Sequence, residues 1–346
     1  MCNIAGYVGE RPAAPILIEM MLREEGFGGG YYTGIATLHE GKIYYEKLTG
    51  DTERLLALTN AAKLPGNIGI IHSRSNAGGG DLWSHPFVGF LKGEVAAAYV
   101  ANGSSGFFSH REKEYNELIQ SLVDAGYPMP AQIKAEKKAY LTLKSGMAVH
   151  MSDAMCQLAL RNLDRGERGA VALSNAFMEM PSEIVGLLLS LDTPDGISYS
   201  RINAPMTLSF ASHGAYLSTS AMAFPTDAGD VQYLPANSFG TVYRDHADVH
   251  PMHNPPASVA PIDARVMAEA YCKVGKALQK EARYLDDIAE KVVCPLFEKA
   301  DCYPVAMLTY EVLRAYQKTG RLKIDVRRVP GATPELDAPK AYFSLI

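Results

Sequence analysis

The feature that most constrains this chain is a cysteine directly behind the initiator methionine. Cys2 opens the apolar, glycine-punctuated segment Cys2–Gly9, a pattern typical of a buried strand. If Met1 is removed, Cys2 carries a thiol and an α-amine, groups with ordinary pKa values of about 8.5 and 7.7–8.0. An amine that titrates so near neutrality can take the thiol proton and return it to a leaving group. The segment therefore indicates a nucleophile at the end of a strand.

The same cysteine has a second interpretation, because cysteine is among the most buried residue types and often behaves as a small hydrophobe. The other cysteines do not decide between the two. Their number is odd and no two have CxxC spacing, which argues against a disulfide framework and against a zinc site. We therefore expect reduced thiols, no metal and a reducing compartment. The five cysteines are Cys2, Cys156, Cys272, Cys294 and Cys302.

Length and charge exclude several classes of protein. The 346 residues suffice for one large domain or two ordinary ones with a sizeable core. A formal net charge of −5 disfavours nucleic acid as a partner. No stretch approaches the roughly 20 apolar residues that span a bilayer, and the start lacks the features of a signal peptide. We expect a cytoplasmic protein with no membrane segment, and no motif indicates a cofactor.

A glycine-rich segment, Gly26–Gly34, follows a predicted helix over Ala14–Glu25. It fits neither the dinucleotide fingerprint nor a Walker loop, because no Lys-Ser/Thr follows and no helix opens there. The glycines either form a tight turn or let the backbone approach a ligand closely. Two alternating runs around Glu40-Gly41 then predict a β-hairpin.

Polar residues follow two further predicted strands. Arg74 stands at the end of an apolar strand, and its rigid guanidinium suits a carboxylate, although a surface arginine would look the same. Asn102 and Gly103 end the next one. An Asn-Gly pair is usually a hairpin turn, but it also supplies a side-chain amide and a backbone N–H, the donors of an oxyanion hole.

The order of these motifs along the chain resembles the glutaminase domain of the class II glutamine amidotransferases. It is most similar to the branch of glucosamine-6-phosphate synthase and amidophosphoribosyltransferase, over roughly residues 2–250. No single motif is specific, but their order and the position of the cysteine are strong together. The motifs are Cys2-x-x-x-Gly6, Gly34-Ile35-Ala36, His72-x-Arg74, His85-Pro86, Asn102-Gly103 and Ser152-Asp153.

The resemblance implies a fold and a set of roles. The fold is of the α+β class, an Ntn-hydrolase αββα four-layer sandwich. Cys2 matches the family's nucleophile, and Asn102 with Gly103 match its oxyanion pair. Arg74 matches the arginine that binds the α-carboxylate of glutamine, and Asp153 the acid that binds its α-ammonium. The chemistry is consistent, because a zwitterionic head needs one cation and one anion, and a tetrahedral intermediate needs donors near the thiolate.

The sequence also departs from the family pattern. Ser75 and the run Asn76–Gly79 stand where the family usually has a tryptophan and an Ala-Thr-His-Gly run, so a different group covers the substrate, with Trp83 as a candidate. Ala154-Met155 replaces the Thr and Glu that commonly follow the aspartate. The interval between Asn102 and Asp153 is also longer than usual. These changes leave open a substrate head that differs from glutamine.

The tail is predicted to be a separate unit. Four prolines in Pro251–Pro261 indicate a linker over 251–262, and His246, His250 and His253 belong to this solvated region. Residues 263–346 predict a helix over 263–291, a second over 303–319 and a β-hairpin, the order of a winged-helix-like module. Residues 261–346 hold 14 Lys and Arg against 12 Asp and Glu, a net charge of +2 that is weak for a DNA reader. We favour a docking or dimerisation element, and hence a homo-oligomer.

Three hypotheses for function follow. In the first, Cys2 attacks the side-chain amide of glutamine and releases ammonia through a glutamyl thioester, for an acceptor bound by a separate synthase subunit. In the second, the same chemistry acts on a different amide. In the third, the chain is a non-catalytic scaffold or regulator that kept the fold.

Overall fold

The computed structural model describes residues 2–104, 111–134, 141–181, 183–256, 259, 261–297 and 303–346. Strands and helices are numbered in chain order. The strands are β1 Asn3–Gly9, β2 Tyr32–His39, β3 Lys42–Thr49, β4 Ile68–Arg74, β5 Phe87–Leu91, β6 Glu94–Ser104, β7 Glu183–Ser190, β8 Ile197–Arg201, β9 Thr207–Ala211, β10 Gly214–Ser218, β11 Gln232–Tyr233, β12 Ser238–Val242, β13 Ala247–Pro251, β14 Arg283–Tyr284, β15 Leu322–Pro330 and β16 Asp337–Leu345. The helices are α1 Ala13–Gly28, α2 Thr52–Leu58, α3 Glu112–Asp124, α4 Met151–Asp164, α5 Gly169–Glu179, α6 Ala264–Lys280, α7 Leu285–Ile288 and α8 Tyr303–Lys318.

Two antiparallel sheets form the centre of the protein. The seven-stranded sheet has the order β11-β9-β10-β1-β4-β2-β3, and the six-stranded sheet has the order β13-β12-β8-β7-β6-β5. In the first sheet β1 lies between β10 and β4, so that Ala5 faces Ser218 on one side and Ile71 on the other. The predicted first strand is therefore a central strand of its sheet.

Alternation along the strands divides the apolar residues between two faces. One face of each sheet contributes to a shared core, with Ile4 and Ile70 from the seven-stranded sheet and Val100 and Leu187 from the six-stranded sheet. The outer face of the seven-stranded sheet packs against α1, and that of the six-stranded sheet packs against α4 and α5. The layers therefore run helix, sheet, sheet, helix.

Local signals place several elements where the sequence predicts them. Glu40 and Gly41 both have positive φ, 45° and 72°, as a two-residue hairpin between β2 and β3 requires. Asp51 caps α2 by accepting a hydrogen bond from the Arg54 amide. The Asn102-Gly103 pair differs from a hairpin turn: both residues lie inside β6 and pair with Val185 and Ile184 of β7.

The C-terminal residues add helices and a three-stranded sheet of order β14-β16-β15. The predicted helix over 263–291 is wrong in its length, because α6 ends at Lys280 and Arg283-Tyr284 pair with Phe343 and Tyr342 of β16. The hydrophobic cluster of this module also contains Phe27 of α1 and Met222. The module is therefore packed directly on the first 250 residues. Its winged-helix-like form and the domain boundaries remain predictions.

The glycine-rich segment after α1 is explained in part by this packing. A Cβ at Gly26 would lie 3.1 Å from the Ala341 amide, and one at Gly30, where φ is 99°, would lie 2.6 Å from Pro339 Cδ. Side chains at these positions would therefore push β16 away. The close approach that the glycines allow is to another segment of the chain.

Two further observations concern regions singled out in the sequence. His250 and Pro251 end β13, paired with Phe239 and Ser238 of β12, so the first residue of the predicted linker 251–262 lies in a strand. Among the residues that the structure describes, no helix is both long and apolar enough to cross a bilayer.

We predict that Phe343→Ala lowers the free energy of unfolding by about 3–5 kcal/mol, because it leaves a cavity at a fully buried aromatic site. Phe343 packs edge-on against Phe27 at 5.2 Å between ring centroids, so the loss should appear in the unfolding of the whole chain. Chemical denaturation followed by circular dichroism measures it. Ile346→Ala, at an 84% exposed position of the same module, is the control and should change stability by less than about 0.5 kcal/mol. Equal stability of the two variants would contradict the packing described here.

Candidate active site

The candidate nucleophile is held by a side chain from the other sheet. The Cys2 backbone N–H donates to Asn102 Oδ1 at 3.2 Å, and Asn102 Nδ2 donates to the Cys2 carbonyl at 2.7 Å. Because Cys2 directly precedes β1 and Asn102 lies in β6, these two bonds join the ends of the two sheets. The structure thus brings together two residues that are 100 positions apart in the sequence.

The Cys2 thiol is partly exposed and lies against the residue that follows β4. The Ser75 backbone N–H donates to Cys2 Sγ at 3.4 Å, and the Ser75 hydroxyl lies 3.6 Å from the same sulfur. Ser75 was noted in the sequence only as a departure from the family pattern.

Buried histidines support the strand that carries Asn102. His72 of β4 has its Nε2 atom 2.9 Å from the Ala101 carbonyl, and its ring stacks on that of His85 at 3.8 Å between centroids. Burial lowers the pKa of His72 to about 3 and lowers the pKa of His85 well below its usual range. Both rings are therefore neutral near pH 7 and act as polar packing between the sheets.

Arg74 ends β4, and its guanidinium is only slightly exposed to solvent. It lies over the Tyr32 ring at 4.4 Å, donates to the Gly78 carbonyl at 2.6 Å and also donates to the Trp83 carbonyl. Burial of an arginine is tolerated when its N–H groups have partners. Two backbone carbonyls of the following loop provide them here.

Asp153 lies in the first turn of α4 and is fully buried. Its Oδ2 accepts from the Ala131 backbone N–H at 3.0 Å and its Oδ1 accepts from Gln157 Nε2 at 3.2 Å. Burial raises the pKa of Asp153 to about 6, an effect that these bonds and the charge of Lys47 oppose. The carboxylate is therefore satisfied inside the protein.

Ala131 connects the surroundings of Arg74 and Asp153, the two candidates for binding the substrate. Ala131 donates to Asp153 through its N–H and accepts from Trp83 Nε1 through its carbonyl at 2.7 Å. Trp83, whose carbonyl binds Arg74, is itself only 8% exposed, so it packs inward against α4 and is not an open cover. Lys47 holds the same loop through the carbonyls of Leu82, Ser84 and Pro86.

The sequence analysis missed a buried carboxylate at the end of α1. Glu25 Oε1 accepts hydrogen bonds from the hydroxyls of Thr33, Thr52 and Ser73, at 3.1, 2.8 and 2.8 Å. Burial raises the pKa of Glu25 to about 7. Ser73 directly precedes Arg74, so this cluster fixes the strand end that carries the arginine. A glutamate in an amphipathic helix gives no sequence signal for such a position, because exposed glutamates look the same.

The arrangement has the parts that amide cleavage requires. A partly exposed thiol lies beside a side-chain amide and an exposed glycine, and the Cys2 nitrogen lies next to an acceptor oxygen. Arg74 directly precedes Ser75, which contacts the thiol, and Asp153 is connected to Arg74 only through Ala131 and Trp83; both charged groups face internal partners. In the described part of the chain, no group of three or more His, Cys, Asp or Glu side chains could hold a metal ion.

Comparison with curated proteins identifies relatives with one shared description. The chain is 26% identical over 247 residues to glutamine--fructose-6-phosphate aminotransferase (isomerizing) of Pyrococcus horikoshii, a match over 71% of this chain and 37% of that protein. It is 34% identical over 138 residues to the Clostridium perfringens protein of the same description, over 39% of this chain and 21% of the relative. The chain thus spans little more than a third of the relatives it matches. No family model matches the sequence.

Comparison with solved structures gives the same fold. The Bacillus subtilis glutamine phosphoribosylpyrophosphate amidotransferase superposes with a TM-score of 0.59 at 13% identity, over 94% of this chain and 66% of that one. A structure described as the allosteric regulatory enzyme of purine biosynthesis gives 0.58 at 14% identity, over 81% of this chain and 59% of the other. The predicted resemblance to the class II glutamine amidotransferases is therefore confirmed, as is a mixed fold of helices and sheets.

We predict that the stability of the wild type falls relative to Glu25→Gln as the pH rises. The folded-state pKa of Glu25 is about 7 against 4.5 for the free side chain, so the folded protein binds the proton more tightly. Proton binding to Glu25 stabilises the folded wild type fully below pH 4.5, and this contribution is lost by about pH 7. The free energy of unfolding of the wild type therefore falls by about 3 kcal/mol relative to that of Glu25→Gln. Urea denaturation at pH 4.5 and 8 measures it. Glu53→Gln, at an exposed position of α2, should show no such trend, and a parallel pH dependence in both variants would contradict a buried protonated Glu25.

Proposed function

We propose, from the similarity of this chain to the class II glutamine amidotransferases, that it is an N-terminal-cysteine glutaminase. The observation that carries the proposal is the pair of hydrogen bonds between Asn102 and the backbone of Cys2. They hold the thiol of Cys2, the backbone nitrogen of the same residue and the side-chain amide of Asn102 close together. Removal of Met1 turns that nitrogen into the α-amine that accepts the thiol proton.

Cleavage proceeds through a thioester. The Cys2 thiolate attacks the carbonyl carbon of the side-chain amide, and the C–N bond of the tetrahedral intermediate breaks. The nitrogen leaves as ammonia with the proton held by the α-ammonium of Cys2. A water, deprotonated by the same amine, then attacks the thioester, and glutamate leaves as the thiolate is restored.

Asn102 and Gly103 are proposed to hold the developing oxyanion. The Asn102 amide nitrogen has two hydrogens, one of which is directed at the Cys2 carbonyl, so the second can bind the intermediate. The backbone N–H of Gly103 is the second proposed donor. Donors that are already fixed before the reaction stabilise charge without reorganisation.

Arg74 and Asp153 are proposed to bind the two charges of the amino-acid head. Their present partners support these roles, because two carbonyl oxygens on Arg74 take the place of carboxylate oxygens, and an N–H on Asp153 takes the place of an ammonium group. Binding then requires that Gly78, Trp83 and Ala131 give up these contacts.

The acceptor of the ammonia is proposed to lie on a separate protein. The match covers 37% of the Pyrococcus horikoshii relative, so the rest of that protein lies outside the similarity that supports the glutaminase. We propose that residues 2–250 form the glutaminase, that 251–262 connect it to the tail, and that 263–346 are a winged-helix-like element that docks a synthase subunit or a second copy. A cytoplasmic location belongs to the same proposal.

A different amide is the second candidate substrate. Ser75 stands beside the thiol where the family usually has a tryptophan, and Trp83 is packed inward. The cover over a bound substrate is therefore altered, which favours tolerance of another acyl or amine group.

We predict that Cys2→Ala abolishes release of ammonia from glutamine, because it removes the nucleophile. Ammonia and glutamate are measured by coupled assay, and intact mass reports loss of Met1 in both proteins. Cys272→Ala, the same substitution at an exposed cysteine of α6, is the control and keeps the activity. Cys2-independent activity, or retained Met1 with no turnover, would contradict the proposal and favour the scaffold hypothesis.

We predict that Asn102→Asp lowers kcat by about 10²- to 10³-fold with a smaller change in KM, because it removes one oxyanion donor. The carboxylate still accepts from the Cys2 nitrogen but cannot donate to the Cys2 carbonyl, so one of the two bonds that join the strand ends is kept and the other is lost. Steady-state kinetics together with thermal unfolding separate this effect from loss of fold. An unchanged kcat in a folded variant would remove Asn102 from the mechanism.

A further inference from the structure

A cavity of about 180 Å³ lies where the C-terminal module meets the glycine-rich segment. One wall comes from the end of α1 and from the residues after β4, and the other comes from β14, α7 and β16. Ser75 belongs to this lining and also contacts the Cys2 thiol. The cavity is therefore adjacent to the nucleophile. Its polar lining consists of Tyr31, Ser75, Asn76, Tyr284, Asp286 and Lys340.

Asp153, the proposed partner of the α-ammonium group, and the cavity lie on different layers of the fold, whereas Arg74 directly precedes Ser75 of the cavity lining. Asp153 is in α4, which packs on the outer face of the six-stranded sheet. The cavity borders the end of α1, which packs on the outer face of the seven-stranded sheet. Cys2 lies between these layers, at the ends of the two sheets. An acyl group that extends toward Asp153 therefore has its amide nitrogen on the side of the cavity.

The cavity lining carries one cation, Lys340, and one anion, Asp286. Lys340 Nζ lies 3.7 Å above the Tyr284 ring centroid, which fixes its position. In the ranges that the structure describes, Lys340 has no ion-pair partner. Asp286 lines the same cavity at its solvent-exposed side. A small ligand with a carboxylate for Lys340 and an N–H for Asp286 fits this pair of charges.

We propose that this cavity binds an α-amino acid on the nitrogen side of the bond that Cys2 breaks, with its carboxylate on Lys340. This inference rests on the proposed acyl chemistry of Cys2 and extends its substrates to γ-glutamyl amides of amino acids. The C-terminal module is then part of the active site.

The chemistry is that of the glutaminase with a substituted nitrogen. Cys2 forms its thioester by expelling the amino acid, whose nitrogen takes the proton from the α-ammonium of Cys2. In reverse, the free amine of a bound amino acid attacks the thioester carbon, the thiolate leaves, and the amine proton passes to the α-amine. Hydrolysis of γ-glutamyl amides and transfer of the glutamyl group to an amino acid therefore use the same subsite.

The test compares glutamine with γ-glutamylglycine in the full chain. We expect Lys340→Met to lower kcat/KM for γ-glutamylglycine by at least about tenfold and to change that for glutamine by less than about twofold, because only the former has a carboxylate on the nitrogen side. The matched control is Lys323→Met, an exposed lysine of the same sheet that does not line the cavity. Wild-type enzyme given glutamine and glycine should also form γ-glutamylglycine, detected by mass spectrometry.

A binding measurement separates this inference from the proposed function. Calorimetry with Cys2→Ala and γ-glutamylglycine should show binding that the added Lys340→Met change weakens at least about tenfold. If γ-glutamylglycine binds in this Lys340-dependent way but the wild type turns over neither substrate, the subsite is upheld and the proposed glutaminase activity is overturned. Cys2-dependent turnover with equal effects of Lys340→Met and Lys323→Met would overturn the subsite and leave the glutaminase standing.

Discussion

The site depends on the two hydrogen bonds that Asn102 makes to the backbone of Cys2. A residue at the start of a chain has covalent support on one side only, so its position must come from other contacts. The antiparallel neighbours of β1 fix the strand from Asn3 onward, and the Asn102 amide fixes the residue before it. Since Asn102 belongs to the other sheet, the packing of the two sheets sets the position of Cys2, the proposed nucleophile.

The surroundings of this contact show how charge is kept inside the protein. Arg74, Asp153 and Glu25 are all buried, and their partners include backbone groups for Arg74 and Asp153 and a hydroxyl group for Glu25. Such an arrangement keeps the desolvated groups satisfied with their substrate absent. Under the proposed function, a zwitterionic substrate exchanges with backbone groups of the same polarity on Arg74 and Asp153.

Features set by local sequence were predictable, and features set by distant contacts were not. The β2–β3 hairpin and the cap of α2 follow from residues within a few positions of each other, and the order of motifs along the chain pointed to Cys2 and Asn102. Sequence alone left the placement of Asn102 inside β6 undecided, because pairing with β7 overrides the turn preference of Asn-Gly. The early end of α6 follows likewise from the pairing of Arg283 and Tyr284 with β16.

The glycine-rich segment Gly26–Gly34 is shaped both by its local sequence and by distant contacts. Its sequence leaves open a turn or a close approach, and the structure shows that β16 lies against Gly26 and Gly30. The C-terminal module can approach so closely only because these residues have no side chains. The same closeness brings Tyr284 and Lys340 to the side of Ser75, which contacts the thiol. A C-terminal module attached only through the proline-rich linker, without packing on α1, would not require glycine at these positions. Their position therefore argues that the tail and the nucleophile form one structural unit.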